Sequence, residues 1–183
     1  MTDRPADPFA HIRAATNEHR RRHGCGAYPY GNGALLGALA AGTGARRILE
    51  LGTALGYSAL WFARGAPDAV VDTIDRDDEH VRLARDNIEA CGLAGHVVVH
   101  GGDFETVLAA LDPGYDLAFF DGFTPGKPLL ARLTRLLRTG GMLISANLTH
   151  DGSDAYREAL LNERSWLTGF IDERGETAIS IKR

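Results

Sequence analysis

Five short stretches bring carboxylates, glycines and amide or imidazole groups together in patterns that suit ligand chemistry. The first runs Glu50-Leu51-Gly52-Thr53-Ala54-Leu55-Gly56-Tyr57-Ser58. Gly52 and Gly56 allow a tight turn and close approach of a ligand to the backbone. Their spacing is GxxxG, not the GxGxxG of dinucleotide sites. Glu50 would repel a pyrophosphate at the mouth of that turn and attract an ammonium group. The second stretch ends in Asp75, 23 residues after Gly52, near the spacing at which an acidic side chain accepts from a ribose diol.

The third is Gly101-Gly102-Asp103-Phe104. Its glycines let a flat ring lie against the backbone, and Asp103 is an acceptor for an adenine amino group or a cap for the helix that follows. The fourth delivers Asp121 out of an apolar strand, directly after Phe119 and Phe120. The fifth, Asn147-Leu148-Thr149-His150-Asp151, offers Asn147 and His150 as ligands or proton acceptors. Glu50 and Asp75 around a glycine turn describe an adenosine that lacks phosphates and carries a charged amino-acid tail. S-adenosylmethionine has that form.

These stretches must be held by a scaffold, and the chain alternates in the way that builds one. Arg46–Leu51, Ala69–Asp75, His96–His100, Tyr115–Asp121 and Gly141–Leu148 read as near-continuous apolar strands. Between them, Tyr57–Arg64, Asp77–Cys91, Phe104–Leu111, Pro128–Arg138 and Ser153–Asn162 read as helices. Alternation of this kind predicts a parallel sheet covered on both faces. Trp166–Asp172 and Thr177–Lys182, joined by Glu173-Arg174-Gly175-Glu176, read as a closing hairpin that adds an antiparallel strand at one edge. The expected fold is α/β, a doubly wound, mostly parallel sheet of about seven strands, with its ligand site beyond the strand C-termini where the strand order reverses. Upstream, residues 1–8 read as a loose lead-in, Ala10–Arg22 and Ala34–Ala41 as helices, and Gly24–Gly31 as a loop. Residues 1–30 form an appendage on this reading and residues 31–183 the ligand-binding domain. The run His19-Arg20-Arg21-Arg22-His23 before Gly24 complements a helix dipole.

Composition narrows the function classes. The 183 residues are 44% hydrophobic and 24% charged, with formal net charge −4, which suits a packed core and gives a nucleic-acid backbone or an anionic membrane no basic surface. No apolar run reaches membrane-spanning length, and the polar, proline-bearing Met1–Phe9 stretch is not a secretory signal. Cys25 and Cys91 have no CxxC partner, which fits a reducing cytoplasm.

Taken together, ILELGTALGYSALWFA, TIDRDDEHVRLARDNIEACGL and YDLAFFDG resemble the small-molecule class I O-methyltransferases of the catechol and caffeoyl-CoA group. The resemblance runs from about Tyr28 to the closing SIKR motif. It implies that Glu50, Gly52 and Ser58 hold the methionine part of S-adenosylmethionine, with Thr53 in the same turn. It implies that Asp75 binds the ribose, that Gly102, Asp103 and Phe104 frame the adenine, and that Asp121 lies near the sulfonium. It further implies a divalent metal, magnesium in type, on Asp121 and Asn147. Two positions depart from the family pattern. Ala146 stands where a second carboxylate is usual, and Thr124 stands where a lysine base is common, with Lys127 the nearest lysine. Those departures favour a metal-poor reaction in which Asp121 or His150 receives the substrate proton.

The expected activity is methylation of a hydroxyl on a small phenolic or catechol-like acceptor. Two alternatives are a cofactor-binding homologue without turnover and a nicotinamide-dependent oxidoreductase. Glu50 argues against the last, as does Leu160 at the place where a Tyr-x-x-x-Lys pair would need its lysine. A homodimer is expected through the N-terminal helix and the Tyr28–Tyr30 loop.

Overall fold

The computed structural model describes residues 6–123 and 125–183. Seven strands form one sheet in the order β3-β2-β1-β4-β5-β7-β6. They are β1 (Arg47–Leu51), β2 (Val70–Asp75), β3 (Val97–Gly101), β4 (Tyr115–Phe120), β5 (Leu137–Ser145), β6 (Trp166–Phe170) and β7 (Ala178–Lys182). The first five pair in parallel, and β7 runs antiparallel to both β5 and β6. The chain therefore winds outward from β1 in both directions, and the reversal lies between β1 and β4.

Alternation along the strands sorts the core into two layers. Ile48, Leu117 and Phe119 point to one face, where they meet Leu36, Leu60, Phe62, Ala84 and Ile88. Leu49, Leu51, Ala118 and Phe120 point to the other, against Leu108, Leu133, Leu136 and Tyr156. The first face is covered by α2 (Gly33–Thr43), α3 (Tyr57–Gly65) and α4 (Asp78–Ala90). The second is covered by α5 (Phe104–Ala110), α6 (Lys127–Leu136) and α7 (Asp154–Leu160). A helix α1 (Ala10–His23) precedes them and contributes Ile12 to the first layer, while Phe9 packs edge-on against Trp61 at 5.6 Å. The N-terminal segment thus shares the core of the sheet domain.

Two expectations are corrected. The closing hairpin does not add its antiparallel strand at the edge: β7 occupies an interior slot and β6 is the edge. Strand β5 begins at Leu137, not Gly141, because the chain turns extended immediately after α6 and Leu136 and Leu137 are both buried. The reading of residues 19–23 as helix-terminal cations holds. Arg21 and Arg22 both pair with Glu18, the latter at 2.6 Å, and Gly24 closes α1 in a left-handed conformation. The first five residues of the lead-in lie outside the described residues.

Strand hydrogen bonds continue one residue past the strands and bring their ends to a common rim. Gly52 donates to the Ile74 carbonyl, Gly102 to Asp75, Asp121 to Leu51 and Ala146 to Phe120, all at 2.9–3.0 Å. The sheet thereby aligns the ends of five sequence-distant strands along one edge.

Candidate functional site

A cavity of about 580 Å³ opens at this rim, at the β1–β4 reversal. Its walls include Gly52, Ala54, Asp75, Asp103, Phe104 and Asp121. That volume lies in the range of small-molecule sites. A second wall comes from residues 25–28, ahead of α2, and from Phe123 after β4.

Gly52 sits at φ +105, and a Cβ built there would meet the Asp121 carbonyl oxygen at 3.1 Å. Glycine here keeps the β1 turn low and lets the β1 and β4 ends close on each other. Asp75 then holds the turn from the side. Its Oδ2 accepts from the Ala54 N–H at 2.8 Å and its Oδ1 from the Asp77 N–H at 3.0 Å. Asp103 caps α5, accepting from the Thr106 N–H and hydroxyl at 2.8 Å each, while it lines the cavity. Both roles foreseen for Asp103 are therefore open to it geometrically.

Glu50 is placed differently from a carboxylate at a mouth. It is fully buried in β1, beneath the turn, and does not itself line the cavity. One oxygen, Oε2, accepts from the Thr73 hydroxyl at 2.5 Å, and Thr73 in turn contacts the Thr53 hydroxyl at 2.7 Å. The other, Oε1, is buried with no hydrogen-bond partner among the described residues. Burial pushes the Glu50 carboxyl up to about 8, opposed by the nearby Ser58 hydroxyl, which comes close without meeting hydrogen-bond geometry, and by the Thr73 hydroxyl bonded to Oε2. A buried carboxylate oxygen without a donor is costly, and a cationic ligand group reaching it would remove that cost. Ser58, also buried, lies on the first turn of α3 beside it.

Asp121 is half-buried at the cavity wall, and desolvation raises its carboxyl to about 7, opposed by a hydrogen bond from Asn147. The Asn147 amide donates to Asp121 Oδ1 at 3.1 Å and to the Gly122 carbonyl at 2.9 Å. Both neighbours are acceptors, so the amide must present its N–H face, not its oxygen. The methyl of buried Ala146 adds no ligand. A hard divalent cation wants about six oxygen ligands, and this set offers one carboxylate with an opposing N–H. The residues present do not fit that metal.

The structure brings Gly52, Asp75, Asp103, Phe104 and Asp121 to one cavity and sets Asn147 behind Asp121. Gly102, Thr53 and Ser58 lie in the supporting turns. His150 is exposed, and neither it nor Lys127 lines the cavity. Thr124 is outside the described residues. Sequence reasoning missed Cys25 and His80, both on the cavity wall. Their only signal was proximity to the turns at Gly24 and Asp75, since His80 otherwise reads as one polar residue of an amphipathic helix.

Comparison with known proteins adds an independent line. A profile of the O-methyltransferase family matches residues 9–170. A Mycolicibacterium smegmatis protein provisionally named an O-methyltransferase is 38% identical over 137 residues, covering 73% of this chain and 65% of the relative. One from Mycolicibacterium vanbaalenii, named in the same provisional way, is 39% identical over 137 residues, covering 73% and 61%. The chain thus spans less than two thirds of the length of these curated relatives. A solved Klebsiella pneumoniae structure, provisionally named an O-methyltransferase, aligns at TM-score 0.82 and 26% identity over 98% of this chain and 91% of that one. The Bacillus cereus O-methyltransferase in complex with SAH shares the fold, at TM-score 0.82 and 23% identity over 100% and 94%. With a profile match over most of its length, the chain belongs to the O-methyltransferase family.

Proposed function

We propose that the protein transfers a methyl group from S-adenosylmethionine to a hydroxyl of a small phenolic or catechol-like acceptor. The observation that carries this reading is the orphaned Glu50 Oε1 beneath a glycine turn whose other side is held by Asp75. An adenosine with a cationic tail satisfies both. The SAH complex of the Bacillus cereus protein agrees with this ligand class.

Asp75 would hold the ribose, Glu50 and Ser58 the amino-acid tail, and Asp103 with Phe104 the adenine. When bound, the cofactor supplies a methyl carbon on a sulfonium, open to in-line displacement. The chain's own contribution is to hold the acceptor oxygen in line and to take its proton. A phenol titrates near 10, so a base is needed at neutral pH. Asp121 lies on the cavity wall and is half deprotonated near pH 7, close to the pKa at which a general base works best. Asp121 would accept the phenolic proton while the cavity walls hold the acceptor oxygen in line with the methyl carbon. Asn147 keeps Asp121 oriented through its amide N–H. No step passes through a metal.

We further read the protein as cytoplasmic, in line with two unpaired thiols. We read it as a homodimer joined through α1 and the exposed Tyr28 ring, over which Arg20 lies at 4.0 Å. Among the described residues no helix is long and apolar enough to cross a membrane. The deciding experiment is a screen of phenols and catechols for S-adenosylhomocysteine release, with and without Mg²⁺. Binding of the cofactor without release on any acceptor would favour the homologue that has lost turnover. Binding of NAD in preference would sink the methyltransferase reading.

A further inference from the structure

Three soft or borderline metal ligands converge where α1, the loop after it and α4 meet. Gly24, at φ +63, ends α1 and reverses the chain, which returns Cys25 beside the last turns of that helix. Asp77 caps α4 by accepting from the Glu79 and His80 N–H groups, which fixes His80 in the first turn. His19 on α1 completes the group: its ring lies 5.2 Å from that of His80, edge to face. The ligand atoms of His19, Cys25 and His80 all lie within 4.8 Å of one another.

His80 supplies the independent sign of a missing ligand. Its side chain is 8% exposed, and its Nε2 is buried with no hydrogen-bond partner among the described residues. Its Nδ1 faces Asp75 Oδ1 at 3.5 Å. A histidine held by a carboxylate through one nitrogen, with the other left open, is the arrangement that metal-ligating histidines adopt. Tetrahedral zinc bonds of about 2.0–2.3 Å set neighbouring ligand atoms roughly 3.5 Å apart, so closure asks for ~1 Å of side-chain movement. Cys25 and His19 are only half-buried and free to make it.

We propose that His19, Cys25 and His80 form a transition-metal site, with Zn²⁺ the ion of matching chemistry and Asp75 the group that orients His80. One thiolate and two imidazoles select zinc over magnesium or calcium. Three protein ligands leave a fourth position, and because Cys25 and His80 both line the cavity, that position opens toward it. The site is distinct from the Asp121–Asn147 pair and does not depend on the methyltransferase reading. A competing set, His19 with His23 and Glu79, shares one ligand but has two exposed members and no buried orphan nitrogen.

The test uses tag-free, full-length protein without added cofactor. Zinc is titrated against a chromophoric chelator, and Co²⁺ is added as a spectroscopic stand-in. One equivalent of zinc is expected, together with a thiolate-to-cobalt charge-transfer band and tetrahedral visible absorption. Cys25→Ser should abolish that band, and Cys25→Ser and His19→Ala should each weaken zinc by about tenfold or more, since even outer partners of such sites cost that much. His23→Ala should bind as the parent does. Circular dichroism of each variant separates lost ligation from lost folding. No zinc uptake by the folded parent at micromolar concentration would overturn the site, as would folded Cys25→Ser or His19→Ala variants that bind like the parent. Loss of binding in His23→Ala alone would assign the ion to the competing set and overturn it equally.

Discussion

Asp75 Oδ2 accepts the backbone N–H of Ala54 at 2.8 Å, and Ala54 holds φ +45, a conformation that side-chain-bearing residues seldom adopt. The acidic residue at the end of β2 therefore pins a strained residue in the turn after β1. The strain is of the order of 1–3 kcal/mol, and Asp75 stabilises the conformation that the ligand is to meet.

Asp75→Asn retains one acceptor oxygen where the turn uses two. It should lower stability by about 1–2 kcal/mol, read by urea unfolding, and leave the fold intact by circular dichroism. S-adenosylhomocysteine affinity should fall further, by roughly ten- to a hundredfold, because a charge-assisted contact is lost. A folded variant that binds as tightly as the parent removes Asp75 from the ribose.

Glu50 titrates at about 8 in the folded protein against 4.5 as its ordinary value. A raised carboxyl means the folded state holds the proton longer than the unfolded one. Its contribution to stability is fully present below pH 4.5 and lost as pH rises through about 8. Glu50→Gln should flatten the fall of the unfolding midpoint across that window. An ammonium-bearing ligand should drive Glu50 to its charged form, so binding at neutral pH should release a proton. Calorimetry in buffers of different ionisation enthalpy reads that release, and it should vanish in Glu50→Gln.

Activity should climb through about pH 7 as Asp121 loses its proton. Asp121→Asn should remove that limb of the profile and lower turnover by roughly 10²–10⁴. A variant that keeps the parent's pH profile would move the base elsewhere.

Chelation should change activity only modestly, since Asn147 turns its N–H face toward Asp121. Ala146→Asp places a second carboxylate at this rim and should strengthen divalent binding in a metal titration. Complete loss of parent activity in EDTA, restored by stoichiometric Mg²⁺, would contradict the metal-free route.

The scaffold was readable because each parallel strand is an apolar run followed by a polar or glycine residue, and such runs have one use in a covered sheet. Gly52, Asp75, Asp103 and Asp121 were proposed from that pattern, since strand ends carry ligands in this architecture, and all four line the cavity at the rim. Other features depended on distances that no local pattern encodes. Glu50 was expected at the mouth because its residue type is charged, but every residue of β1 after Arg47 is buried, and the type of residue does not reveal that depth. His150 looked useful from its place after β5, but the turn through Ser153 leads it to solvent. The wall made by residues 25–28 follows from how α1 packs, and helix periodicity fixes a helix's buried face without fixing where its ends land.

The interior position of β7 has a consequence for how the chain reaches this state. Strand β5 completes its second ladder with residues 178–181, which follow it by more than thirty positions in the sequence. Until then β5 presents bare backbone donors and acceptors flanked by Leu143 and Ile144, a template for pairing with another nascent chain. The β6–β7 hairpin acts as a late-arriving closure of that edge, and β6, held by one ladder alone, becomes the sheet's exposed margin in its place.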